Sequence, residues 1–197
     1  MPSESICRWP ERGAFVTKSP GRLSGDRSVK ESLKTALVDA RSLWFLCSGN
    51  VVRSAFAEVY ARHKVCPIPV RSAATRFRND AMFPQTVSEL KARGVGRVLV
   101  DRFAPVHLDD VVPDLRDSDV VLGMTEDHIQ DFRAHVDTPR ALDERSFLLG
   151  DAFWNSEEIA DPVLDGADYA KTFARIAKAV ETLLVQIKTT HRVSLRR

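Results

Sequence analysis

Four short apolar runs alternate with segments of helical spacing between residues 43 and 149, and that alternation leaves few folds open. The runs are Leu43–Leu46, Val70–Ala74, Asp119–Leu122 and Phe147–Leu149. Between them, 54–64 reads as a helix stopped by Pro67, and 84–93 as a helix opened by Pro84 and closed by Gly94. Further helices are expected at 108–116, at 126–134 and at 167–188. The last carries Phe173, Ile176, Ala177, Val180, Leu183, Leu184 and Ile187 as one apolar stripe. Unbroken apolar strands suit a sheet covered on both faces. Strands alternating with helices predict a doubly wound, parallel α/β sheet with helices on both faces. In such a sheet a ligand sits beyond the carboxyl ends of the strands, near a reversal of strand order. The turn after the first strand is therefore where a site is expected.

The chain outside this pattern is an N-terminal extension. Residues 1–27 mix Pro, Gly, Ser and Arg with few spaced apolar positions, which predicts a mobile segment. Ser28 and Glu31 have capping-box spacing before Val29, Leu33, Ala36, Leu37 and Ala40, so 28–41 is expected to be an amphipathic helix. Such a helix either docks on its own domain or serves as a partner- or membrane-contacting arm. The domain proper is expected over 42–190, with a basic tail at 191–197.

Lys+Arg 29 against Asp+Glu 27 gives a net charge of +2, too even for nucleic-acid binding to be the main role. No stretch is long and charge-free enough to insert in a membrane, and MPSESICRWPERGAF lacks the apolar run of a secretion signal. Cys7, Cys47 and Cys66 are irregularly spaced and frame neither a disulfide scaffold nor a zinc site. A cytoplasmic protein without a metal or cofactor is the expectation, its oligomeric state open.

The first turn reads Cys47-Ser48-Gly49-Asn50-Val51-Val52-Arg53-Ser54. Gly and Asn accept left-handed backbone most readily, and a loop wound that way turns successive N–H groups inward as an anion nest. The following helix start adds partial positive charge, and Arg53 can grip two oxygens of a tetrahedral oxyanion. A sulfur anion at Cys47 is stabilised by the same surroundings, and inside a phosphate cradle it is a nucleophile aimed at phosphorus. Ser54 can donate a hydrogen bond to that sulfur. The plainer alternative is a small apolar Cys at a strand end. Attack on a phosphate monoester also needs an acid, and Asp161, stiffened by Pro162 before the last helix, is the candidate.

This turn with Ala57-Glu58 resembles the signature of the low-molecular-weight protein tyrosine phosphatases. So do Ser72-Ala73-Ala74, Leu122-Gly123-Met124, Leu148-Leu149-Gly150 and Asp161-Pro162. The resemblance spans about 42–188. It implies a four-stranded parallel sheet and metal-free hydrolysis of phosphotyrosine in proteins through a cysteinyl-phosphate. It makes Cys47 the nucleophile, Arg53 the phosphate clamp and Asp161 the acid and then the base. It also implies that Asn50 holds the loop through Ser54 and Ser72.

The chain departs from that pattern at several positions. Val52 stands where many members have a second Cys beside the Arg. Val163-Leu164 follows Asp-Pro where aromatics are usual, and Met124-Thr125 replaces Met-Asp. Phe77 is either an aromatic wall for the substrate or a core residue. A protein-arginine phosphatase remains open because Val51 matches neither the Thr nor the Ile that separates the two preferences. An arsenate reductase of this fold would need two further downstream cysteines to relay a disulfide, and none follows Cys66. A non-catalytic module binding phosphorylated ligands would need neither the thiol nor the acid.

Overall fold

A computed structural model of the chain describes residues 29–135, 137–152 and 157–194. The mobile segment expected at 1–27, the Ser28 cap, Cys7 and the side chains of the 191–197 tail lie outside the described residues. The elements in chain order are α1 (Glu31–Val38), β1 (Leu43–Cys47), α2 (Arg53–His63), β2 (Val70–Ala74), α3 (Pro84–Ala92), α4 (Arg97–Asp101), α5 (Leu108–Val111), β3 (Val120–Gly123), α6 (Glu126–Ala134), β4 (Ser146–Leu148) and α7 (Tyr169–Ser194).

The four strands form one parallel sheet in the order β2-β1-β3-β4. Connections from β1 run first outward to β2 and then back across to β3. The reversal of strand order therefore falls at the carboxyl end of β1, where Cys47 pairs with Ala74 and Leu46 with Gly123.

All of β1 is buried, and its alternation divides the core into two layers. Leu43, Phe45 and Cys47 face a large cluster with α1, α2 and α7, while Trp44 and Leu46 face a smaller one with Leu108, Val121 and Phe132. Helix α2 is buried along Arg53 to Ala61. Its alanines 55, 57 and 61 allow close approach to the sheet, and Phe56 packs on Phe173 of α7 with ring centroids 4.7 Å apart. Helix α1 sets Leu33, Ala36 and Leu37 into this same core.

Several expected boundaries are corrected. Helix α1 starts at Glu31 with Lys30 at its cap and no side-chain cap bond, so Glu31 is not the third residue of a capping box. The expected 108–116 helix is one turn, Leu108–Val111, followed by a 3-10 turn at Val112–Asp114, because Pro113 cannot continue an α-helix. The short α4 was not anticipated, its five residues being too few to show periodicity. The third strand runs one residue later than expected and the fourth one earlier, and α7 begins at Tyr169 rather than 167.

Two contacts place the late Asp-Pro segment against the sheet. The Ile159 N–H donates to Met124 O at the end of β3, at 2.8 Å. A Cβ on Gly150 would lie 2.0 Å from Glu157 O, so only glycine lets the returning chain pass that closely. Among the described residues no helix is long and apolar enough to cross a membrane.

Candidate active site

Cys47 ends β1, and the chain from Ser48 to Val52 wraps over its side chain before α2 begins at Arg53. The turn depends on Asn50, whose φ of 53° lies in the left-handed region that Asn tolerates. Loop carbonyls are turned away from the centre. Cys47 O accepts from Thr75 N, Ser48 O from Arg76 N and Phe77 N, Gly49 O from Asn79 Nδ2, and Val51 O from Phe83 N and Thr86 Oγ1. In a trans peptide the N–H points opposite to the C=O. Tying these oxygens outward therefore turns the N–H groups of residues 48, 49, 50 and 52 inward, which makes the expected nest. One of them is visible in a bond: Asn50 N donates to Cys47 Sγ at 3.3 Å.

The Asn50 side chain is fully buried, and both of its donors and its oxygen are paired. Its Nδ2 donates to Ser54 Oγ at 2.9 Å and to Ser72 Oγ at 2.7 Å, while Oδ1 accepts from Val106 N at 2.9 Å. Because Ser54 Oγ accepts from Asn50, its proton is left for Cys47 Sγ, 3.0 Å away. Ser72 passes its own proton to Glu58 Oε2, and Arg62 pairs with the other Glu58 oxygen. Burial pushes the Glu58 carboxyl above its ordinary pKa, with the Ser72 hydrogen bond and the Arg62 charge pulling the other way. Sequence reasoning reached Asn50, Ser54 and Ser72. It quoted Glu58 without giving it this part.

Arg53 is buried at the loop mouth, with Nη1 donating to Ile159 O at 2.9 Å and Nη2 to Asp161 Oδ2 at 2.5 Å. Its fork points to the Asp161 loop in this structure. The other Asp161 oxygen accepts from Val163 N at 2.8 Å and from Leu164 N at 3.4 Å, so the carboxylate is held by its own turn. Cys47 and Arg53 of one loop and Asp161, 108 positions after Arg53, line one cavity of about 70 Å³. Phe77, Phe83, Val163 and Leu164 also line it, giving it largely apolar walls. Cys66 lines a different hollow and is not part of this site.

Sequence reasoning missed His128. This buried ring lies against the loop, with Nδ1 accepting from Thr125 N at 3.0 Å. The proton must then be on Nε2, which donates to Ser48 Oγ at 3.0 Å. Burial lowers its pKa to about 3, helped by the charges of Arg53 and Arg76. Thr125-Glu126-Asp127-His128 was the available signal, a capping box with His in place of Glu or Gln.

A histidine held neutral in the fold but titrating near 6.5 when unfolded binds fewer protons in the native state. Stability is therefore full above about pH 6.5 and lost as pH falls toward 3. Between pH 7 and pH 5 the wild type is expected to lose about 2 kcal/mol from this group. His128→Gln should flatten that slope, read from urea unfolding midpoints at the two pH values.

The order β2-β1-β3-β4, with a Cys-to-Arg anion loop at its switch point and an Asp-Pro turn beside it, defines a cysteine-loop phosphatase fold. The family model described as low molecular weight phosphotyrosine protein phosphatase matches residues 42–193, and the chain belongs to that family. The chain is similar in fold to solved structures of YfkJ from Bacillus subtilis, the YwlE arginine phosphatase from Geobacillus stearothermophilus and a low molecular weight protein tyrosine phosphatase from T. tengcongensis. The first is 20% identical with a TM-score of 0.64, covering 76% of this chain and 96% of that one. The second is 22% identical with a TM-score of 0.58, covering 79% and 94%. The third is 22% identical with a TM-score of 0.59, covering 74% and 98%. No curated protein sequence is recognisably similar to this chain.

Proposed function

We propose that this chain hydrolyses phosphotyrosine in proteins, through a phosphate carried on Cys47. The observation that supports this most is Cys47 Sγ receiving hydrogen bonds from Asn50 N and Ser54 Oγ inside a loop whose carbonyls at 47, 48, 49 and 51 are tied outward. A bond-making sulfur and an oxyanion nest thus occupy one place. In the first step Sγ attacks phosphorus, the bond to the tyrosine oxygen breaks, and Asp161 gives that oxygen a proton. In the second, Asp161 takes a proton from water, whose oxygen attacks phosphorus and releases inorganic phosphate and the Cys47 thiolate. Ser54 donates to the departing sulfur. Arg53 turns its fork from Asp161 to two equatorial oxygens, where charge spreads in the transition state. Ser48, Gly49, Val51 and Val52 complete the phosphate-binding loop, and Asn50, Ser54 and Ser72 hold its shape.

The walls favour an aryl ester. Phe77, Phe83, Val163 and Leu164 offer a flat ring apolar contact, whereas among the described residues Asp161 is the one carboxylate lining the cavity for the guanidinium of phosphoarginine. The enzyme is taken to work in the cytoplasm, in keeping with Cys47 and Cys66 both being free thiols.

A side-by-side assay of a phosphotyrosine peptide, phosphoarginine and arsenate tests this. Phosphotyrosine should be turned over fastest, with vanadate competing and a chelator without effect. Faster release from phosphoarginine would transfer the proposal to an arginine phosphatase, and reduction of arsenate would make the chain a reductase. No turnover of any of the three would leave a binding module.

A further inference from the structure

On the hydrolase reading of this site, we propose that Asp131 of α6 is a positioning residue: acting through Thr75 and Arg76, it aims two N–H groups of the phosphate nest.

Two of the loop's peptides are oriented by one segment. Thr75 N donates to Cys47 O at 3.0 Å, and Arg76 N and Phe77 N donate to Ser48 O at 3.1 and 2.9 Å. Those carbonyls belong to the peptides that carry the Ser48 and Gly49 N–H groups. Whatever places 75–77 therefore also aims these two donors at the oxyanion. Strand β2 ends at Ala74 and does not itself place the segment. One carboxylate of α6 reaches two successive side chains of it. Asp131 Oδ2 accepts from Thr75 Oγ1 at 3.0 Å and from Arg76 Nε at 2.6 Å, while Oδ1 accepts from Arg76 Nη2 at 3.2 Å.

The same helix reaches the loop a second time. His128 lies three residues before Asp131, about one turn along the same face, and its Nε2 donates to Ser48 Oγ. Helix α6 thus holds Ser48 by its hydroxyl and, by way of Asp131, by its carbonyl. Its own place is fixed by the buried Ile129 and Phe132. Thr75, Arg76 and Asp131 stand outside the residues lining the Cys47 cavity, so the effect on chemistry passes through the backbone they hold.

Asp131→Ala removes all three bonds from a side chain that is 29% exposed, which the fold should tolerate. With p-nitrophenyl phosphate, kcat should fall about tenfold and KM change by less than about threefold, because a misaimed donor costs most where charge develops in the transition state. Vanadate affinity, read by calorimetric titration, should weaken about tenfold. Asp131→Asn, whose carbonyl oxygen can still accept from Thr75 Oγ1 and Arg76 Nε, should recover most of both. Thr75→Val, which cuts one tie and keeps the backbone N–H, should give a smaller loss of the same kind. Asp127→Ala, which removes an equal charge beside Arg76, should change neither quantity. The proposal is overturned by unchanged kcat and vanadate affinity in Asp131→Ala and Thr75→Val, or by an equal effect in Asp127→Ala. It is also overturned by a loss that Asp131→Asn does not recover, or by tighter vanadate binding, the sign of an Arg76 freed to hold the anion itself. Should the wild type release no phosphate from the ester, the hydrolase reading fails, and the vanadate affinities of the same variants still decide for or against Asp131.

Discussion

Cys47→Ser is expected to lower kcat for an aryl phosphate by about four orders of magnitude or more while leaving the fold and phosphate binding in place. The substitution exchanges sulfur for oxygen at a side chain with little exposure, whose neighbours are both donors, Asn50 N and Ser54 Oγ. A serine oxygen can accept from either, so the loop loses no partner. The nest itself is set by carbonyls bonded outward to residues 75–86, none of which touches the substituted atom. What disappears is nucleophilicity, since a serine hydroxyl at neutral pH is a far weaker nucleophile than a thiolate. Single-turnover assays with p-nitrophenyl phosphate measure the loss, and calorimetric titration with inorganic phosphate checks that the cradle survives. Turnover within tenfold of wild type would remove Cys47 from the chemistry. Lost phosphate binding would show instead that the sulfur is needed to shape the loop.

The sequence exposed the parts of this site that depend on local backbone. Short apolar runs between helical segments were enough for the parallel sheet, and the turn after β1 was legible because Gly49 and Asn50 sit between a strand and a helix. Residues that act across the chain were harder to see. Glu58 matters through Ser72, 14 positions away, and His128 through Ser48, 80 positions away. A buried polar residue on a helix carries no periodic signature of its partner. Val106 is beyond sequence reading altogether, because it serves Asn50 with its backbone N–H and any residue except proline would do. Pro113 was in plain view, yet helical spacing on both sides of it concealed the break in α5.

Asp161→Asn is expected to separate leaving groups. With phenyl phosphate, whose phenoxide departs poorly without a proton, the rate should fall about 10² to 10⁴-fold. With 2,4-dinitrophenyl phosphate, whose anion is already stable, it should fall far less. The carboxylate has two structural duties besides: one oxygen accepts from Val163 N and Leu164 N, and the other receives Arg53 Nη2. Asparagine can keep the first through its own carbonyl oxygen, so the Asp-Pro turn should persist. That choice turns the amide NH2, a donor, toward Arg53 Nη2, so the Arg53 bond is lost, and any change from that source alters the phosphate clamp. A clamp defect acts on the phosphoryl oxygens that every substrate shares, so it slows good and poor leaving groups alike. The ratio of the two rates therefore isolates proton transfer from the positioning of Arg53. A uniform loss across both esters would mean that Asp161 serves only to hold the guanidinium, and the acid would have to be sought elsewhere.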